Sequence, residues 1–350
     1  MPGVRQSLSA VSLLAAGSVA PAAVPADPYE APGPLPALSA SALAARYQAT
    51  GRDIGRALTT AERVHDEDRA RALSAFLTPG RRFLAFDPRG SGRAVEVIGD
   101  LEHADRIAVV IPGADNTLAN YDSPKFVGGG SRALYQEARA QAARAQEAHA
   151  QQARAQEARG HEARADVPLS RFAVIAWLGY DSPSTLSTAV LTSSRAEDGA
   201  RGLERFLSGI HQVNGHARFA LLCHSYGSVV CAKAAPHLAP LPVDDIAVFG
   251  SPGTTVDTAS DLGTSARVWA GRSKGDWMRY VPNVHFAGLG FGTDPVSPRF
   301  GALRFDAGTG PHSAYLKPGS RALRNLTLIA LGHTAEAGHA GAIRAGAVHA

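Results

Sequence analysis

The chain has 350 residues, of which 45% are hydrophobic and 19% charged, and a formal net charge of +4. That balance is enough to build a globular core and excludes the low-hydrophobicity, high-charge composition of disordered chains. Lys and Arg are spread along the sequence rather than gathered in a block interleaved with aromatics, so no nucleic-acid partner is expected.

The first 37 residues read as a leader and linker. Met1 to Gln6 carries one Arg, Leu8 to Ala20 is small and apolar, and Val24-Pro25-Ala26 resembles a small-residue cleavage site. This is the pattern of a secretory signal peptide, followed by a Pro/Ala-rich linker. A secreted or cell-envelope location is expected; the alternative is a disordered leader on a cytoplasmic protein. No later run approaches the roughly 20 apolar residues of a membrane-spanning helix.

Residues 38–76 place Leu43, Tyr47, Ile54 and Leu58 at helical spacing and read as one or two helices, an N-terminal extension. The period then changes. Arg82 to Asp87 and Arg93 to Gly99 are two strands joined by the Pro88–Gly92 turn, a hairpin. Five nearly uninterrupted apolar runs follow, at Ile107–Ile111, Phe172–Leu178, Phe219–Leu222, Ile246–Phe249 and Arg267–Ala270. Strands buried on both faces of a parallel sheet read this way. Alternating β and α segments predict an α/β fold, with a mixed, mostly parallel sheet covered by helices on both faces. Residues 138–165 are a low-complexity Ala/Arg/Gln/Glu stretch without large apolar residues, read as a solvated helical insertion. Residues 336–350 read as a flexible tail.

The two cysteines, Cys223 and Cys231, form no metal-binding pattern. With one on a strand and the other inside the next helix, they are read as buried free thiols too far apart for an unstrained disulfide.

The chemistry concentrates at Cys223-His224-Ser225-Tyr226-Gly227, between an apolar strand and the helix-like Val-Val-Cys-Ala-Lys-Ala-Ala. This is a nucleophile-elbow arrangement, in which a sharp turn lifts the Ser225 hydroxyl clear of the sheet. The following helix turns its N–H groups toward a developing oxyanion. Crowding beside the serine calls for small residues, and Gly227 supplies one; Cys223 stands where the pattern usually has glycine. A serine needs a base, and the base an orienting acid, in the chain order Ser, acid, His. Asp276 lies in a loop just beyond the Arg267–Ala270 strand, with Asp257, Asp261 and Asp294 as competitors. His312 follows the Leu303–Phe305 strand and a Gly-rich loop, with His285 second and His333, His339 and His349 in or near the tail. The oxyanion donors are assigned to the N–H groups of Tyr226 and of Ala114, in the Pro112–Asn116 loop. Trp177, Gly179, Tyr180 and Asp181 end a strand at the same sheet edge, and the reading leaves Trp177 between pocket wall and core. No metal or organic cofactor is implied.

The segments FLAFDPRGSGRAVEVIGDL, VVIPGADNTLANYD, IAWLGYDSP, CHSYGS, VFGSPGTTVDTASDLG and FGALRFDAGTGPHSAYL resemble the DUF1023 family of bacterial α/β-hydrolases, over about residues 40–332. The resemblance implies the α/β-hydrolase fold and a serine-hydrolase site at Ser225, Asp276 and His312, and no defined substrate. The residues themselves are read as an α/β-hydrolase domain at 38–335 that transfers the acyl group of a small-molecule, ester-like substrate to water. The usual elbow of the family is Gly-His-Ser-Tyr-Gly, from which Cys223 departs. Two other readings stand beside it: a degenerate, non-catalytic binding fold, and an acyltransferase in which an alcohol replaces water.

Overall fold

The computed structural model describes residues 27–157, 171–282, 290–333 and 335–337. The signal-peptide pattern, most of the tail, residues 158–165 of the low-complexity stretch, and His285, His339 and His349 lie outside the described residues.

Eight strands form one sheet: β1 (Arg82–Asp87), β2 (Arg93–Gly99), β3 (Arg106–Ile111), β4 (Phe172–Leu178), β5 (Arg218–His224), β6 (Val243–Phe249), β7 (Arg267–Gly271) and β8 (Leu303–Arg304). Their order is β1-β2-β4-β3-β5-β6-β7-β8. The β1/β2 hairpin and the β2/β4 pair are antiparallel, and every pair from β4 to β8 is parallel. The hairpin and mixed sheet expected from the sequence are therefore present.

Side chains alternate across the sheet. Ile107, Val109 and Ile111 join one core cluster, and Ala108 and Val110 the other. The first cluster is closed by α4 (Ser194–Val213) and α5 (Gly227–Ala234), through Leu203, Leu207, Ile210, Val229 and Val230. The second is closed by α3 (Val127–Glu157) and α6 (Arg321–Leu331), through Leu134, Leu323, Leu326 and Ile329. Leu203, Leu207 and Ile210 recur at the 3–4 residue spacing of one helix face. Each such side chain, fully buried, contributes about 2 kcal/mol. The region 38–76 forms α1 (Leu43–Arg63) and α2 (Glu67–Phe76), which pack Ile54, Leu73 and Phe76 onto the second cluster.

Local signals set the helix ends. Asp66 and Ser320 cap α2 and α6, accepting from the N–H groups of Arg69 (3.2 Å) and Leu323 (3.0 Å). Gly332 closes α6 with φ +81°. The low-complexity stretch does not begin an element of its own. Residues 138–157 continue α3, whose first turns cover the sheet; Ala138 is buried, and exposure rises beyond it where large apolar residues run out. Among the described residues no helix is long and apolar enough to cross a membrane.

Candidate active site

The carboxyl ends of the parallel strands converge on one serine. β5 ends at His224 and α5 starts at Gly227, so the chain reverses within two residues. Ser225 makes this turn with φ +52°. The left-handed region costs a non-glycine residue on the order of 1–3 kcal/mol and persists only where its surroundings enforce it. They do so here: the Ser225 N–H donates to Phe249 O at 2.9 Å, and Ser228 N–H donates to Ser225 O at 2.9 Å. Two glycines are required by close approach. A Cβ on Gly227 would lie 2.6 Å from the carbonyl oxygens of Ile111 and Pro112, and one on Gly113 would lie 2.6 Å from Ser225 Cβ.

The reading of the cysteines is corrected. Cys223 and Cys231 form a disulfide, with Cα atoms 6.4 Å apart, inside the usual 4.4–6.8 Å range. The expectation took the helix to carry Cys231 away from the strand. Instead the tight elbow folds α5 back along β5, and Cys231, on its second turn, returns over Cys223. Both are fully buried. The residue in place of the usual elbow glycine is thus tied to the helix that follows the serine.

His312 reaches Ser225 from the loop after β8. Its Nε2 lies 3.0 Å from Ser225 Oγ, and its Nδ1 lies 2.9 and 3.0 Å from the two carboxylate oxygens of Asp276. With Nδ1–H donating to the carboxylate, Nε2 is left to accept the hydroxyl proton. Asp276 follows β7 and is fully buried. Its Oδ1 also accepts from Met278 N–H at 2.8 Å, so it caps the short 3₁₀ turn Trp277–Tyr280 as well. Its Oδ2 accepts from the Tyr315 hydroxyl at 2.5 Å, and that hydroxyl accepts from Ser273 N–H at 3.0 Å. Burial works against the Asp276 charge, but the hydrogen bonds from His312 and Tyr315 outweigh it and hold the carboxyl below its usual value. The same burial, with the Asp276 charge, pushes the Tyr315 hydroxyl well up, so it remains a donor.

The competing acids are engaged elsewhere. Asp257 accepts from Thr293, Asp261 caps Thr258, and Asp294 pairs with Arg272 at 2.8 Å. Trp177 is core, 1% exposed, and Tyr180 is buried with its hydroxyl donating to Pro112 O at 2.8 Å. Asp181 pairs with Arg195. This strand end therefore braces the Pro112–Asn116 loop from behind rather than lining a pocket. In that loop the N–H groups of Asp115 and Asn116 donate to Pro183 O and Ser182 Oγ. Among the described residues, the N–H groups of Ala114 and Tyr226 donate to no protein acceptor.

Ser225, His312, Ala114 and Tyr226 all line one cavity of about 670 Å³, whose walls are mostly apolar. Sequence reasoning missed two supports. Tyr315 sits one turn after His312 and holds the far side of Asp276; its proximity in sequence to His312 was the only available signal. His224 donates from Nε2 to His312 O at 3.0 Å and packs its ring 5.2 Å from Phe249.

The alpha/beta hydrolase family model matches residues 87–286, and the chain belongs to that family. An uncharacterized protein of Mycobacterium tuberculosis is 29% identical over 288 residues, covering 71% of this chain. An uncharacterized protein of Mycobacterium bovis is 34% identical over 182 residues, covering 51% of this chain. The chain spans only 39% and 59% of the lengths of these two relatives. Among solved structures, an α/β serine hydrolase without a lid from Xanthomonas campestris is 13% identical with a TM-score of 0.41, over 73% of this chain and 95% of that one. An esterase of Mycobacterium marinum is 12% identical with a TM-score of 0.41, over 82% of this chain and 90% of that one.

Proposed function

We propose that this chain is a serine hydrolase that cleaves an ester-like acyl substrate, with Ser225 as nucleophile, His312 as general base and acid, and Asp276 as the group that orients and stabilises the imidazole. The observation that carries the reading is an unbroken hydrogen-bonded path from Ser225 Oγ through the His312 ring to the buried Asp276 carboxylate, in steps of 3.0 and 2.9 Å.

The steps follow from that path. His312 Nε2 takes the Ser225 proton as Oγ attacks the acyl carbon. The negative charge that develops on the carbonyl oxygen is met by the N–H groups of Tyr226 and Ala114. The tetrahedral species collapses, and the leaving alkoxide takes the proton from His312. Water then enters and attacks the acyl-serine ester as His312 takes its proton, and His312 returns that proton to Ser225 Oγ as the acyl C–O bond breaks, releasing the carboxylic acid and the free serine. Asp276 stays ionised throughout and stabilises the imidazolium formed in both halves of the cycle.

The Cys223–Cys231 disulfide supports an oxidising, exported location, in keeping with the leader pattern at residues 1–26.

A fluorophosphonate probe tests the reading. The wild-type protein is expected to label and to hydrolyse p-nitrophenyl butyrate; Ser225→Ala loses labelling, and turnover falls by at least about 10⁴-fold. A wild type that neither labels nor hydrolyses would return the protein to a non-catalytic binding role.

A further inference from the structure

The cavity beside Ser225 says more about the substrate than that it carries an acyl group. It encloses about 670 Å³, far more than an acetyl ester fills. Phe126, Val190, Leu191, Met278, Val281 and Phe291 supply its apolar wall. Two charged side chains border it, Asp115 and Lys125. The Asp115 carboxylate already accepts from Thr185 N–H at 2.9 Å and from the Thr185 hydroxyl at 2.7 Å. Lys125 is exposed to solvent. Neither makes the interior a site for a charged group, and burying an unpaired charge against this wall would be strongly unfavourable.

The apolar character continues past the wall. Seven large hydrophobic side chains are exposed among the described residues, and four of them, Leu186, Leu191, Trp277 and Tyr280, belong to the two loops that border the cavity. Leu186 is 97% and Tyr280 79% exposed. Scattered exposed hydrophobics mean little, but a group carried by the loops that line an apolar cavity marks a binding surface.

We infer that the site takes an ester bearing a long, uncharged apolar chain, which the cavity buries beside Ser225 while the Leu186–Leu191 and Trp277–Val281 loops cover the portion that projects. The inference rests on the serine-hydrolase reading above. The shared chemistry is the apolar chain; it can belong to the acid or to the alcohol half of the ester, and the two are separated by experiment.

Two substrate series are assayed on the intact protein: p-nitrophenyl esters from acetate to dodecanoate, and alkyl acetates from ethyl to dodecyl. Each methylene moved from water into an apolar wall is expected to raise kcat/KM by up to about fourfold until the cavity is full. A rise through at least the hexanoyl member of the first series assigns the cavity to the acid half; a rise through at least the hexyl member of the second assigns it to the alcohol half. Leu191→Glu, at a half-exposed position where the fold tolerates change, lowers the ratio of octanoyl to acetyl turnover (or of octyl to ethyl) by about tenfold or more. Rates that are flat or falling beyond the two-carbon members in both series, with Ser225 still labelled by a fluorophosphonate, overturn the inference and leave the hydrolase reading standing. Absence of labelling overturns both.

Discussion

Two aspartates lie fully buried at opposite ends of the same sheet, and they are held in opposite ways. Asp245, near the amino end of β6, accepts from Arg267 at 2.8 and 2.9 Å, from Arg106 at 3.2 Å and from the Trp269 indole at 2.9 Å. Its neighbour Asp244 takes Arg106 at 2.9 Å together with Arg218. Burial opposes the Asp244 charge, but Arg218 and Arg106 outweigh it and keep the carboxyl below its usual value. Asp276, beyond the carboxyl end of β7, has no guanidinium among these partners. It has an imidazole, a phenol and a backbone amide. A guanidinium stays charged at every accessible pH, whereas an imidazole gives up and regains its proton near neutrality. A buried carboxylate is therefore not by itself a sign of chemistry; what separates the two ends is whether the partner can change its charge.

Two substitutions try to break this contrast. Asp276→Asn keeps the shape but removes the charge that opposes the imidazolium, and lets the amide favour the wrong tautomer of His312. The expected result is a fall in kcat of about 10⁴-fold, with a modest shift in the urea midpoint. Asp245→Asn removes the carboxylate that pairs with Arg267, while Arg106 keeps its pair with Asp244. Because Arg267 is partly exposed, the expected cost is about 3 kcal/mol of unfolding free energy, at the low end for breaking a buried pair. The pH profile of the remaining ester hydrolysis should be unchanged. The contrast collapses if Asp245→Asn alters that profile in protein still folded, or if Asp276→Asn unfolds the chain while Asp245→Asn does not.

Much of this is legible in the amino-acid sequence alone. Uninterrupted apolar runs such as Ile107–Ile111 are visible because a strand covered on both faces has no polar side to show. The elbow at Ser225 is visible because its geometry restricts neighbours to small residues, and Gly227 carries that restriction in plain view. Asp276 and His312 follow from chain order and from lying just past strands. What was hidden depends on distances between elements. The disulfide was misread because sequence fixes that Cys231 is in a helix, not that the helix doubles back along β5. Tyr315 was passed over because a tyrosine three residues from a histidine is unremarkable until both touch one carboxylate. The 138–165 stretch was read as an insertion because its composition changes sharply there, while the helix that contains its first part begins at Val127.

The contrast can be sharpened with acid. At the amino end the groups that face one another are Arg106, Arg218 and Arg267 against Asp244 and Asp245, and there, against the opposing effect of burial, the hydrogen bonds from Arg218 and Arg106 hold the Asp244 carboxyl below its usual value. At the site end, His224 packs against His312 at 4.9 Å, Phe249 at 5.2 Å and Tyr315 at 5.5 Å. Burial first, and the neighbouring His312 second, lower its pKa to about 3; the hydrogen bond to the His312 carbonyl and the Asp276 charge pull upward without recovering the loss. In the unfolded chain the same imidazole protonates near pH 6.5, about its ordinary value. Below that pH the unfolded chain binds a proton that the folded chain refuses. The stability His224 allows is thus fully present above about pH 6.5 and declines as the pH falls toward its folded value. By linkage the decline is roughly 2 kcal/mol between about pH 7 and pH 5. Urea unfolding of the wild type and of His224→Asn at both pH values isolates the effect, since every other group is common to the two. The wild type should lose roughly 2 kcal/mol more than the variant over that interval. Equal losses would mean that His224 takes up its proton inside the fold, and that the site end is no more acid-sensitive than the arginine-locked end across the sheet.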